Sequence, residues 1–152
     1  MFTMRRTFIA TAVFFISLPL FAQDFDVLYF GTDSTLEVMT WNIEWFPKSG
    51  QATIDDVSAV IEALDVDVIA IQEIDSYNSF IQMVEDLQGW DGYAVHSEYL
   101  SLAYIYNPAV VEVSEIYPIF TSRDREFPRP PLVMEMTWED QEYVIMVKYA
   151  HE

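Results

Sequence analysis

Two apolar runs constrain this chain more than any other feature. One is Leu36-Glu37-Val38-Met39-Thr40-Trp41-Asn42-Ile43 and the other is Asp67-Val68-Ile69-Ala70-Ile71-Gln72-Glu73-Ile74. The first alternates, with Leu36, Val38, Thr40 and Asn42 on one face of a strand and Glu37, Met39, Trp41 and Ile43 on the other. The second is apolar on both faces, as a buried parallel strand should be. Residues 44–66 between them are enough for a right-handed crossover helix, which makes the strands parallel neighbours. Parallel strands end on the same edge of a sheet, where open α/β sheets hold their ligands. Asn42 and Glu73 are therefore expected side by side at that edge. An amide oxygen and a carboxylate converging there suit a hard cation such as Mg²⁺.

The other elements follow from caps and periods. Thr53 and Asp56 resemble a capping box for a helix to about Leu64, with Val57, Val60, Ile61 and Leu64 in one stripe. Ser76 is placed to cap a second helix through Leu87, and Gly89 to stop it. Residues 93–97, 101–106, 110–116, 132–138 and 143–149 read as short strands. Weak strand character falls at Val27 to Phe30. Asn107-Pro108 marks a turn, Glu139-Asp140-Gln141 a hairpin, and residues 117–131 a long loop with four prolines and three arginines. The order is βαβα followed by antiparallel strands, a mixed α/β sheet with flanking helices.

The first residues are expected to be a targeting segment. Arg5 and Arg6 precede an apolar stretch from Phe8 to Leu20, and Ala22 is a small residue at a plausible cleavage point. That is the build of a secretory signal peptide over residues 1–22. It leaves a single domain, residues 23–152, secreted or periplasmic, with no later stretch apolar enough to span a membrane. There is no cysteine, so core burial must hold the fold. Removal of the leader deepens the formal charge from −18 to −20 and leaves Lys48, Arg123, Arg125, Arg129 and Lys148 as the only basic residues. So acidic a chain is a poor match for long duplex nucleic acid. Most of the acids read as solubilising charge.

Four segments resemble the endonuclease/exonuclease/phosphatase superfamily. They are the two apolar runs, with Gln72-Glu73 similar to the family's Gln-Glu pair, then Leu102-Ala103-Tyr104-Ile105-Tyr106-Asn107, and then Phe127-Pro128-Arg129-Pro130-Pro131-Leu132. The resemblance implies a four-layer α/β/β/α sandwich, of which this chain would be about half. It implies that Glu73 holds a catalytic Mg²⁺ or Mn²⁺ and that Asn42 orients the metal or a phosphate oxygen. It also implies that Arg129 contacts the substrate phosphate, since a guanidinium fork matches phosphate oxygens. The substrate class would be a phosphodiester: nucleic acid, small phosphoester or lipid head group. Trp41, Trp45 and Phe46 read as core and rim packing, and His96 as a strand or surface residue.

The sequence also departs from the family. Lys148 falls where the family's Asn-x-His motif has Asn, and Ala150 where it has His; His151 is one step away, on the opposite strand face. The later Gly-Asp-x-Asn and Ser-Asp-His motifs do not follow. Weak or no activity of the chain alone is therefore expected, together with one sheet whose bare inner face invites association. The alternative is a non-catalytic exported binding or scaffold module of the same fold.

Overall fold

The computed structural model describes residues 28–96 and 100–149. The expected signal peptide, Val27, Ala150 and His151 lie outside the described residues.

The two apolar runs form the expected parallel pair. β1 (Val38–Phe46) runs beside β2 (Val68–Ile74), with Val38 opposite Val68 and Asn42 opposite Gln72. The crossover between them is α1 (Gln51–Leu64). α2 (Tyr77–Asp86) follows β2 and leads to β3 (Asp91–Ala94) and β4 (Ser101–Tyr106), and β4 lies antiparallel to both β2 and β3. The strand order of this mixed sheet is β1-β2-β4-β3. Its helix-side face buries Ile43, Phe46, Ile69, Ile71 and Ile74 against Val57 and Ile61 of α1 and Phe80 and Met83 of α2. The predicted stripe on α1 is the one that packs inward, with Val57 and Ile61 buried.

The remaining strands correct the expectation of one sheet with a bare inner face. β5 (Glu112–Pro118), β6 (Leu132–Trp138) and β7 (Gln141–Val147) pair only with one another, as a separate antiparallel sheet. That sheet packs on the first. Leu132, Met134, Met136 and Val147 close over Val68, Ala70, Leu102 and Tyr104. The Tyr104 hydroxyl, deep in this second core, bonds the carbonyls of Leu132 and Ile145, each at 3.1 Å. The layers are helices, mixed sheet and antiparallel sheet, consistent with part of a four-layer sandwich. No helix among the described residues is long and apolar enough to cross a membrane.

Several boundaries moved for local reasons. Helix α1 starts at Gln51 with Gly50 at its N-cap, at φ 65°. Thr53 lies inside the first turn, where its hydroxyl accepts the Ser49 N–H at 3.0 Å, so it reaches back to the turn and does not cap. Ser76 caps α2 as expected, accepting the Ser79 N–H at 3.3 Å. Residues 28–30 are not a strand; the N–H groups of Phe30 and Gly31 both bond the Leu64 carbonyl at 3.1 Å, at the end of α1. β7 stops at Val147, so Lys148 and Tyr149 have already left the ladder that strict alternation describes.

Candidate metal and phosphate site at the sheet edge

A regular ladder would not bring Asn42 and Glu73 together. Asn42 lies opposite Gln72, so alternation turns Glu73 to the other face. Gln72 keeps to the pleat, its side-chain amide donating to the Thr40 hydroxyl at 2.8 Å and the Ala70 carbonyl at 3.1 Å. Register breaks on both strands change the outcome. They fall between Asn42 and Phe46 on β1 and between Gln72 and Ile74 on β2. Glu44, Trp45 and Glu73 have left-handed backbones, with φ of 37°, 58° and 68°. Such conformations are costly for residues with side chains and cluster where a strand must re-aim one. The twist at Glu73 swings its carboxylate to Asn42, whose Nδ2 donates to Glu73 Oε1 at 3.0 Å.

The amide presents its donor end, where the sequence led us to expect its oxygen. Asn42 Oδ1 is taken by the Glu44 N–H at 3.0 Å, which secures the β1 bend and fixes the amide's orientation. Asn42 thus steers the carboxylate, and its oxygen already accepts one of the two bonds its lone pairs allow. Glu44 pairs with Lys48 at 2.7 Å, an exposed contact of little energetic weight.

The bulge also takes the Glu73 N–H out of the ladder, and Tyr149 accepts it at 2.9 Å. The same hydroxyl donates to the Ser101 carbonyl at 3.2 Å. Burial raises the Tyr149 phenol above its ordinary value, while the Glu73 N–H and the nearby Arg129 charge pull the other way. The phenol stays protonated and holds both bonds at neutral pH. Over its ring lies Arg129, with the guanidinium carbon 4.4 Å from the centroid, a cation–π contact. Tyr149 therefore ties the carboxylate's backbone to the arginine of the proline loop. Nothing in the sequence marked it. The need for it arises from a bulge made without glycine.

A cavity of about 190 Å³ opens beside this link, lined by Glu126, Phe127, Pro128, Arg129, Lys148 and Tyr149. His96 stands apart, exposed and edge-on to Tyr77 with ring centroids 4.7 Å apart. Phe46 is fully buried, Trp41 packs against the helix-side core, and Trp45 is 54% exposed at the rim.

Among the described residues no three His, Cys, Asp or Glu side chains converge as a metal cage. The donor set still fits one kind of ion. Mg²⁺ takes one or two carboxylates and completes its shell with water and substrate phosphate. Glu73 offers that single carboxylate, with one oxygen steadied by Asn42.

The sequence pattern of the Endonuclease/Exonuclease/phosphatase family matches residues 39–146, and the chain belongs to that family. No protein with a curated description matches its sequence. Solved structures share its fold at low identity. One is D. rerio TDP2 complexed with single-strand DNA product, 16% identical with a TM-score of 0.63 over 75% of this chain and 45% of that one. Another is the human Nocturnin catalytic domain with bound sulfate, 15% identical with a TM-score of 0.57 over 73% of this chain and 48% of that one. A functionally unknown conserved protein from Enterococcus faecalis V583 is 18% identical, with a TM-score of 0.57 over 76% of this chain and 52% of its own. The chain thus spans about half the length of these relatives. The family generally uses a divalent metal.

Proposed function

We propose that this chain carries part of the active site of an exported, Mg²⁺- or Mn²⁺-dependent phosphodiester hydrolase. The observation that carries the reading is the Asn42–Glu73 contact of 3.0 Å, made by re-aiming a side chain through a strained bulge. Strained positions of this kind cluster at active sites and ligand clamps. The TDP2 structure with a DNA product supports a phosphodiester as the substrate class. The leader-like start of the sequence supports export.

A bound divalent ion would supply charge neutralisation at the phosphate and leaving oxygens. Glu73 would hold it, and Asn42 would keep that carboxylate in place. The second N–H of the Asn42 amide can donate to a phosphate oxygen. Arg129, oriented by the Tyr149 ring, would bind the phosphate through its fork. The described residues offer no His–Asp pair to activate water, since their one histidine, His96, stands edge-on to Tyr77. Turnover by this chain alone is accordingly expected to be weak or nil.

The test is Mg²⁺ titration of the purified chain followed by calorimetry or amide NMR. Weak binding should perturb the Asn42 and Glu73 resonances and vanish in Glu73→Gln. Binding that ignores Glu73→Gln would sink the proposal. Vigorous hydrolysis of bis-p-nitrophenyl phosphate by the wild type would show that the missing base lies elsewhere in the chain. The competing reading, a non-catalytic binding or scaffold module, draws on Val144 and Met146, which are 70% and 54% exposed on β7. A stable dimer with no affinity for metal would favour it.

A further inference from the structure

Cations are scarce here, and their placement is uneven. Beyond the leader there are five, in a chain of formal charge −18. Lys48 is neutralised by Glu44 at 2.7 Å, the one ion pair among the described residues. Arg123 lies over the Phe120 ring at 6.0 Å and lines no part of the site. Arg129 and Lys148 line the same 190 Å³ cavity, and neither is ion-paired. They flank one hairpin, Arg129 in the loop before β6 and Lys148 just after β7, at the end where Leu132 pairs with Val147. Two cations against one acid in a single cavity, in so acidic a chain, give a local excess of positive charge that suits an anion.

The cavity adjoins the candidate metal site, because Tyr149 lines it and bonds the Glu73 N–H. Arg129 also lines a smaller neighbouring hollow of about 50 Å³ with Ser101 and Tyr149. The arginine is half-buried and held by stacking, while the lysine is exposed and mobile on its stem. Such a pair suits two phosphates in succession, one fixed by the planar fork and one met by a point charge.

We propose that Lys148 makes its side of the cavity a subsite for a second phosphate of the substrate, next to the first phosphate held by Arg129. The preferred substrate is then a short polyanionic phosphodiester, such as an oligonucleotide end. A zwitterionic lipid head group brings a cation to the same lysine. Glu126 lines the cavity too and opposes an anion, which limits affinity. The inference rests on the hydrolase reading for the position of the first phosphate.

The test uses the full chain in metal-free, low-salt buffer, titrated with dithymidine monophosphate and with its 5′-phosphorylated form. The added phosphate should tighten binding about tenfold, the scale of one charge-assisted contact. Lys148→Ala should erase that ratio, Lys148→Arg should keep it, and Glu126→Gln should raise it. Lys148 and Glu126 are exposed, so these variants should fold, which circular dichroism checks. Equal affinities, no measurable binding of the phosphorylated form, or a ratio that survives Lys148→Ala would each overturn the subsite. Glu73→Gln leaves the ratio intact if the subsite is real, and abolishes Mg²⁺ binding only if the hydrolase reading is right. The two proposals can therefore fail separately.

Discussion

Two buried acids sit at the opposite end of the first sheet from the candidate site. Glu37 and Asp67 are 8% and 6% exposed, and Asp67 Oδ2 accepts the Glu37 N–H at 2.8 Å. Glu37 Oε1 accepts from the hydroxyls of Thr35 and Thr32, while Oε2 is buried without a donor. The Thr35 hydroxyl holds the Glu37 carboxyl below its ordinary value, and burial pushes the Asp67 carboxyl above its own, with the charges of Glu37 and Asp65 adding to the rise. The surroundings thus favour an ionised Glu37 and a protonated Asp67, while Glu37 Oε2 keeps no partner. The sign follows from the shifts. Asp67 stabilises the fold below its ordinary value of 3.8, and that contribution is lost as pH rises through its elevated value. Glu37 stabilises above its ordinary value of 4.5 and loses that as pH falls through its depressed one. Asp67→Asn copies the protonated form. Urea midpoints should show the variant gaining on the wild type between mildly acidic and neutral pH. Parallel pH profiles would exclude a raised Asp67 carboxyl.

Local pattern reveals an element more readily than it reveals what the element touches. The β2 run, the β4 run 101–106 and the β6 run 132–138 carry their limits in their own residues, through apolar content and flanking turns. Ser76 marks its helix because a hydroxyl before an apolar stripe has one economical use. The split into two sheets was not legible, because an alternating strand states its buried face and not its partner. The Glu73 bulge was hidden for a related reason: a left-handed glutamate leaves no glycine to signal it. Tyr149 was hidden because its partner exists only once that bulge has formed.

The lead-in at residues 28–31 is an element whose docking can be tested. A Cβ at Gly31 would meet the Asp65 carbonyl oxygen at 1.7 Å and its carbon at 2.8 Å, both backbone atoms with no room to yield. Gly31→Ala should therefore detach the lead-in from the end of α1 and break its bonds to the Leu64 carbonyl. Limited proteolysis should cut between residues 28 and 36 faster in the variant, and stability should fall by about 1–3 kcal/mol, the range for overpacking. Unchanged protection would mean that the lead-in docks by another route.

At the scale of the molecule, the first sheet has an apolar layer on each face, and the second sheet has only one. Tyr143, Ile145 and Val147 point into the inter-sheet core, so alternation sends Val144 and Met146 outward. In the four-layer architecture of this family a further layer lies on that face. Here the described residues leave Val144 70% and Met146 54% exposed, on an edge strand with unpaired backbone groups. Apolar side chains beside an open strand edge are a template for pairing between copies. The net charge of −18 opposes that association at low salt, and added salt screens the opposition. Light scattering should therefore show self-association that grows with salt. Val144→Thr combined with Met146→Thr should suppress it without loss of stability beyond about 0.5 kcal/mol, since both side chains already face water. The proposed Mg²⁺ binding at Glu73 should be untouched, because Tyr149, which holds the Glu73 N–H, lies beyond both substitutions. Association that survives both changes would move the sticky surface to the lead-in, where Tyr29 and Phe30 are 62% and 70% exposed.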